Sequence, residues 1–133
     1  VSPHDIVNPA ELAKPVGFAH AVVAAPGRTV HLGGQTAQDR SGAIVGDTIA
    51  EQFDVAAGNV VTALQAAGGR PEHLVSLMIY VTDMPGYRAA LRELAPVYRR
   101  HFGQHYPAIA LIGVAELFDP AAKLELVGTA VLP

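Results

Sequence analysis

Two side chains of this 133-residue sequence are of types that move protons, and each stands beside a segment able to wall a pocket. Histidine is the side chain whose charge changes between roughly pH 5 and 8, so His20 is a candidate acid or base. Glu116 follows a long apolar stretch, where burial would make its carboxyl a proton donor. Each also has a structural reading. His20 would donate to a backbone carbonyl, and Glu116 would be a solvated carboxylate at a strand end. Whether the two meet is not written in the sequence. Gly33, Gly34 and Gln35, in HLGGQT (31–36), add a turn of little bulk with open backbone and one amide.

Other chemistry is excluded by type and spacing. His101 and His105 have the i, i+4 spacing of a helical metal pair, but Gly103 lies between them and no third ligand accompanies them, so no metal site is expected. The glycines of HLGGQTAQ match neither a phosphate-cradling loop nor a dinucleotide fingerprint, because no helix follows at once. Ser2, Ser41 and Ser76 lack the context of a nucleophile elbow. There is no cysteine, hence no disulfide and no thiolate, which fits a reducing compartment; cytoplasmic location is the expectation. With a formal charge of −3, no nucleic-acid footprint is expected, and Arg99-Arg100-His101 reads as a solvated helix face. No apolar run approaches the roughly 18 residues of a membrane span, and no secretion signal is evident.

The elements that must position these residues follow from periodicity. One domain spans 1–133. Residues 1–16 read as an irregular arm. FAHAVVA (18–24) and RTVHLGG (28–34) read as strands joined through Pro26-Gly27 into an antiparallel hairpin. QDRSGAIVGD (38–47) is a loop. Thr48 and Glu51 form a capping box. The stripe Ile49, Phe53, Ala56, Val60, Leu64, Ala67 then makes a helix that Gly68-Gly69 ends and Pro71 keeps from restarting. HLVSLMIYVTD (73–83) is a strand apolar on both faces, with Val75, Leu77, Ile79 and Val81 on one and Leu74, Met78 and Tyr80 on the other. Asp83 caps a second helix, which Pro96 should kink or break between about 92 and 96. PAIALIGVAEL (107–117) reads as a central strand, and KLELVGTAVL (123–132) closes the sheet. The order is ββαβαββ, an α+β fold with two helices on one face of a mixed sheet. Half the residues are apolar, and the mean hydropathy is +0.29. That is more apolar surface than a small monomer hides, so burial between subunits is expected.

This order, with GFAHAV (17–22), HLGGQT (31–36), YVTDM (80–84), YRRHFGQHYPA (98–108) and KLELVGTAV (123–131), resembles the RidA/YjgF family, also described as endoribonuclease L-PSP. The resemblance implies a chorismate-mutase-like fold and a homotrimer with an inner β-barrel, outer helices and three clefts between subunits. It implies hydrolysis of enamines and imines derived from amino acids to ketones and ammonia, without metal or organic cofactor. In that chemistry an arginine grips the substrate carboxylate, a glutamate of the last strand orients the water, and backbone of an SGQ-like turn completes the site. The negative charge and the lack of aromatic platforms give the ribonuclease label no support.

The match departs from the family at the chemistry. Ile109 stands at the arginine position. Val127, two residues beyond Glu125, stands at the glutamate position. Ala19 replaces a tyrosine, Gly33 a serine, and Leu111 a frequent cysteine, while Gly34 and Gln35 remain. An unpaired buried carboxylate costs several kcal/mol, so negligible hydrolysis of 2-iminobutyrate or 2-iminopropionate is expected. Two readings of the cleft stay open. Ile109, Leu111 and Val127 plug it, or Ala19, Gly33 and Gly113 leave an apolar small-molecule pocket with His20, Gln35, Glu116 and the Gly34 backbone as its polar groups. The corresponding functions are a divergent deaminase or hydrolase for a substrate without a carboxylate, and a non-catalytic binding or scaffold protein.

Overall fold

Thr48 opens the first long helix through reciprocal bonds. In the computed structural model, which describes all residues 1–133, its hydroxyl accepts from the Glu51 N–H, and the Glu51 carboxylate accepts from the Thr48 N–H, both at 3.1 Å. Helix α1 runs Ile49–Ala66 and buries Phe53, Ala56, Val60 and Leu64, each large apolar side chain stabilising by about 1.5–3 kcal/mol. Gly68, at φ 92°, turns the chain out of the helix.

The strands are β1 (Asp5–Val7), β2 (Ala21–Val23), β3 (Arg28–His31), β4 (Leu74–Val81), β5 (Ala108–Gly113) and β6 (Leu124–Leu132). A four-stranded mixed sheet has the order β3-β6-β4-β5, with β4 and β5 parallel and the other pairs antiparallel. Helix α1 and the later helices α2 (Met84–Ala89) and α3 (Leu91–Phe102) supply the helical side of a core that also takes Leu77, Ile79, Leu124, Leu126 and Ala130.

Six local expectations need correction. The β2–β3 hairpin does not form, and the arm is not wholly irregular: β2 pairs with β1, and β3 pairs with β6. Two contacts explain this. His4 on the arm accepts the Ala25 N–H at 3.0 Å, and Gly27 lies so close to the Leu132 carbonyl that a Cβ would collide with it. The Pro26-Gly27 corner therefore feeds the chain into the edge of the main sheet.

The second helix breaks at Ala90, upstream of the expected 92–96. The N–H groups of Glu93 and Leu94 both return to the Ala90 carbonyl, and α3 then continues through exposed Pro96. Leu74 joins the buried face because the ladder shifts register between Leu74 and Ser76. β5 is an edge strand, and β6 lies inside the sheet, the reverse of their expected places. β5 also stops at Gly113 rather than 117, because its partner β4 ends at Val81, whose carbonyl takes the Val114 N–H at 2.9 Å.

Candidate functional site

Alternation along β6 sends Leu124 and Leu126 into the core and leaves Glu125 and Val127 on the face without helices. Register sets Tyr80 opposite Glu125 and Met78 opposite Val127 on that open face. Beyond β3, Gln35 exchanges two backbone bonds with Leu126, each 2.8 Å. This lays the Gly33-Gly34 turn beside β6. A Cβ on Gly34 would fall on the Glu125 carboxylate, whereas one on Gly33 would meet nothing. The turn is thus open at Gly33 and pressed against a carboxylate at Gly34. Helix α1 fixes its exit: Asn59 donates to the carbonyls of Thr36 and Gln38 at 3.1 and 2.9 Å.

Ala19, Ile109, Leu111 and Gly113 gather at the other edge of the sheet. Ala19 is buried and donates its N–H to the Pro107 carbonyl at 2.9 Å, bridging to Ala108. Ile109 pairs with Leu77 and packs against the core of its own protomer. Leu111, opposite Ile79, is 38% exposed, and its neighbour Ile112 is 39% exposed. The two groups of predicted ligand-binding residues therefore occupy opposite edges. About three strand spacings, ~14 Å, separate the β3 side from β5, and Val127 on the inner strand β6 lies about two, ~10 Å, from β5, so one protomer does not bring Gly33, Gly34, Gln35 and Val127 together with Ala19, Ile109, Leu111 and Gly113.

The two proton-transfer candidates are not brought together either. His20 is held in the arm: its N–H donates to Asn8 Oδ1 at 2.8 Å, its Nε2 meets the Ala13 carbonyl at 2.7 Å, and Phe18 packs edge-on at 5.1 Å. The backbone-donating role fits this geometry. Glu116 is exposed on the 114–122 loop, in an open hollow of about 590 Å³ that it shares with Thr82 and Phe118. No hydrogen bond or ion pair joins Glu116 to His20, and the burial that a proton-storing carboxyl needs is missing. His101 and His105 also diverge. His101 Nε2 meets Asp54 Oδ1 at 2.6 Å, and His105 Nε2 meets the Leu74 carbonyl at 2.8 Å.

The residue that reasoning from sequence passed over is Glu125. It served only as a marker for the position of Val127. The signal was present: a carboxylate between two core leucines must face away from them, toward whatever the open face holds.

The family model described as endoribonuclease L-PSP matches residues 9–132. This chain belongs to that family. A solved member of the conserved Rid family from Yersinia pestis, titled a protein of unknown function, is 32% identical with a TM-score of 0.87, the match covering 97% of this chain and 98% of that one. A member of the YjgF/YER057c/UK114 family from Mycobacterium tuberculosis is 28% identical with a TM-score of 0.65, over 97% and 99% of the two chains. Among curated proteins, the mitochondrial protein MMF1 of Saccharomyces cerevisiae is 25% identical over 107 residues, 80% of this chain and 71% of that protein. The endoribonuclease L-PSP fold is therefore shared along nearly the whole chain. No helix is long and apolar enough to cross a membrane.

Proposed function

We propose that the chain acts as a homotrimeric enamine or imine hydrolase, in which the β5 edge of one protomer closes on the Gly33-Gly34-Glu125 corner of the next. The observation that carries this reading is the division of the site. Small and apolar walls lie at one sheet edge, a carboxylate with open backbone lies at the other, and each is incomplete alone. The apolar β5 edge supports the closure, because an exposed edge strand rich in Leu and Ile is a surface that needs a cover.

The substrate is a neutral or apolar enamine or imine. Ile109 offers no cation for a carboxylate, and it is turned into its own core. Protonation of the enamine carbon from solvent gives an iminium. Water adds to the iminium carbon while Glu125, held against Gly34, accepts a proton from that water. The same carboxyl returns the proton to the amine nitrogen, the C–N bond breaks to expel ammonia, and the hydroxyl proton passes back to solvent, leaving the neutral ketone. The resemblance placed the glutamate at Val127; the contact of Glu125 with Gly34 supports placing it one pleat earlier on the same face. The reaction needs no cofactor, and a cysteine-free chain suits a cytoplasmic setting.

The test is ammonia release from a panel of neutral imines generated in situ, with 2-iminopropionate beside them. Turnover of a neutral imine is expected, with Glu125→Gln reducing it about 100-fold or more and 2-iminopropionate left near its spontaneous rate. Light scattering should give three times the 13.9 kDa chain mass. Turnover of 2-iminopropionate as fast as by an arginine-containing relative would defeat the substrate assignment. A second reading, a trimeric binder without catalysis, is favoured by the commitment of His20 to Asn8 and Ala13. It predicts ligand-induced stabilisation with no ammonia from any imine.

A further inference from the structure

Phe53, Tyr87, Leu94, Tyr98 and Tyr106 line an open-mouthed hollow of about 390 Å³ on the helical side of the protomer. That size lies within the roughly 300–1,000 Å³ of small-molecule sites. None of Ala19, Gly33, Gly34, Ile109 or Glu125 lines it. Its wall spans the break at Ala90, with Tyr87 from α2 and Leu94 and Tyr98 from α3.

Three features give it chemistry. Tyr98 and Tyr106 stack in parallel, with ring centroids 5.1 Å and planes 6° apart. The Tyr98 hydroxyl is spent on the His105 carbonyl at 2.7 Å, so this pair is a rigid aromatic slab. Tyr87 is only 7% exposed, and its hydroxyl takes part in none of the side-chain hydrogen bonds of the chain; burial alone pushes its pKa up to about 12, which keeps it a neutral O–H donor. The ring is buried but the hydroxyl is not, since no side-chain polar atom of the chain is both buried and unpartnered, so this O–H is free to donate to a bound group. Arg99, one residue beyond Tyr98, also lines the hollow, is exposed, and pairs with no carboxylate of the chain; Asp54 takes Arg100 and His101 instead.

We propose that this hollow binds small aromatic monocarboxylates, the ring lying among Phe53, Tyr98 and Tyr106 and the carboxylate shared by the Tyr87 hydroxyl and the Arg99 guanidinium. An apolar wall with one neutral donor and one free cation selects a ligand with an aromatic body and a single negative charge. Its residues differ from those of the proposed hydrolytic site, so the ligand is not that site's neutral substrate.

The probe is 3-phenylpropionate, with 3-phenylpropanamide as its neutral isostere. Both are titrated into the chain by calorimetry and followed in amide spectra. The acid is expected to bind about tenfold or more tighter than the amide and to shift the amides of Tyr87, Leu94 and Tyr106. Arg99→Gln, an exposed change whose melting temperature verifies folding, should erase that preference, and Tyr87→Phe should weaken acid binding severalfold. Glu125→Gln should leave acid binding unchanged. Acid binding without turnover of any imine would retire the hydrolase reading and leave this one standing. Equal affinity for acid and amide, a preference that survives Arg99→Gln, or shifts confined to Gly33 and Gly34 would each overturn the proposal.

Discussion

The two faces of β6 are one residue apart in sequence and differ in almost everything else. Leu124, Leu126 and Ala130 are wholly buried under the helices, while Glu125, Val127 and Thr129 between them are only partly covered. The helical face has its partners within the chain, where α1 and α3 supply Phe53, Val60, Leu94 and Val97. The opposite face carries a carboxylate, a tyrosine and a methionine in register and has no layer of its own. One strand thus serves the core through Leu124, Leu126 and Ala130 and turns Glu125, of the proposed site, to the open face.

The largest break in this contrast is Phe53→Ala. Phe53 is 1% exposed at the centre of the helical layer, so its truncation should cost about 3–5 kcal/mol, read as a large drop in the denaturation midpoint. Next is Gln52→Leu. Gln52 is buried and fully engaged: its amide donates to Gly46 and Ala121, both at 3.1 Å, and its carbonyl accepts the Lys123 N–H at 2.8 Å. The substitution strands those groups and should cost about 2 kcal/mol, loosening the loop ahead of β6 as read by amide exchange at Lys123.

A pH dependence sharpens the comparison at the end of the sheet. Burial and then the Arg70 charge hold the His73 pKa below its usual 6.5, and its Nδ1 accepts the Arg70 N–H at 3.0 Å. His4, His105 and Glu72 also face it. The folded state therefore takes this proton less readily than the unfolded chain. Stability is full above the unfolded pKa, falls as pH drops through about 6.5, and stops falling on this account below the folded pKa. Glu72, lowered by its own backbone N–H and then by Arg70, acts in a separate window below its usual 4.5. Melting temperatures at pH 7.5, 6.5 and 5.5 (about one unit apart, spanning the histidine range) should decline in wild type and decline less in His73→Gln.

The smallest stability effect belongs to the open face. Glu125→Gln should move the midpoint by less than about 0.5 kcal/mol while removing most of the proposed turnover. A destabilisation like that of Gln52→Leu would make Glu125 a structural residue and dissolve the division between the two faces.

What the sequence disclosed depended on how local the signal was. The Thr48–Glu51 capping box, the stripe of α1 and the glycine stop lie within a few residues of what they govern, and all were legible. Strand partners were not. The Pro26-Gly27 turn suggested a hairpin, but the contact that decides its course is with Leu132, a hundred residues on. The apolarity of β5 suggested a central place; it sits at an edge with Leu111 and Ile112 exposed, because apolar composition does not say which strands lie beside it. The register shift at Leu74 defeated a strict count of faces. At the site, the glycines were legible as residues of little bulk, although neither has a positive φ and only Gly34 is hemmed in, by Glu125. Glu125 was not, since its meaning comes from Gly34 across the sheet. His20 and Glu116 were chosen by residue type, and type does not report place.

The bare flank of β5 has a consequence for how such a chain comes into being. On the proposed trimer, each copy carries until it assembles a row of unpaired amides and carbonyls beside Leu111 and Ile112, ready to zip onto any extended segment nearby. Protein made slowly and at low abundance would spend longer in that adhesive condition, so yield of usable material should rise with the concentration of sister chains rather than fall.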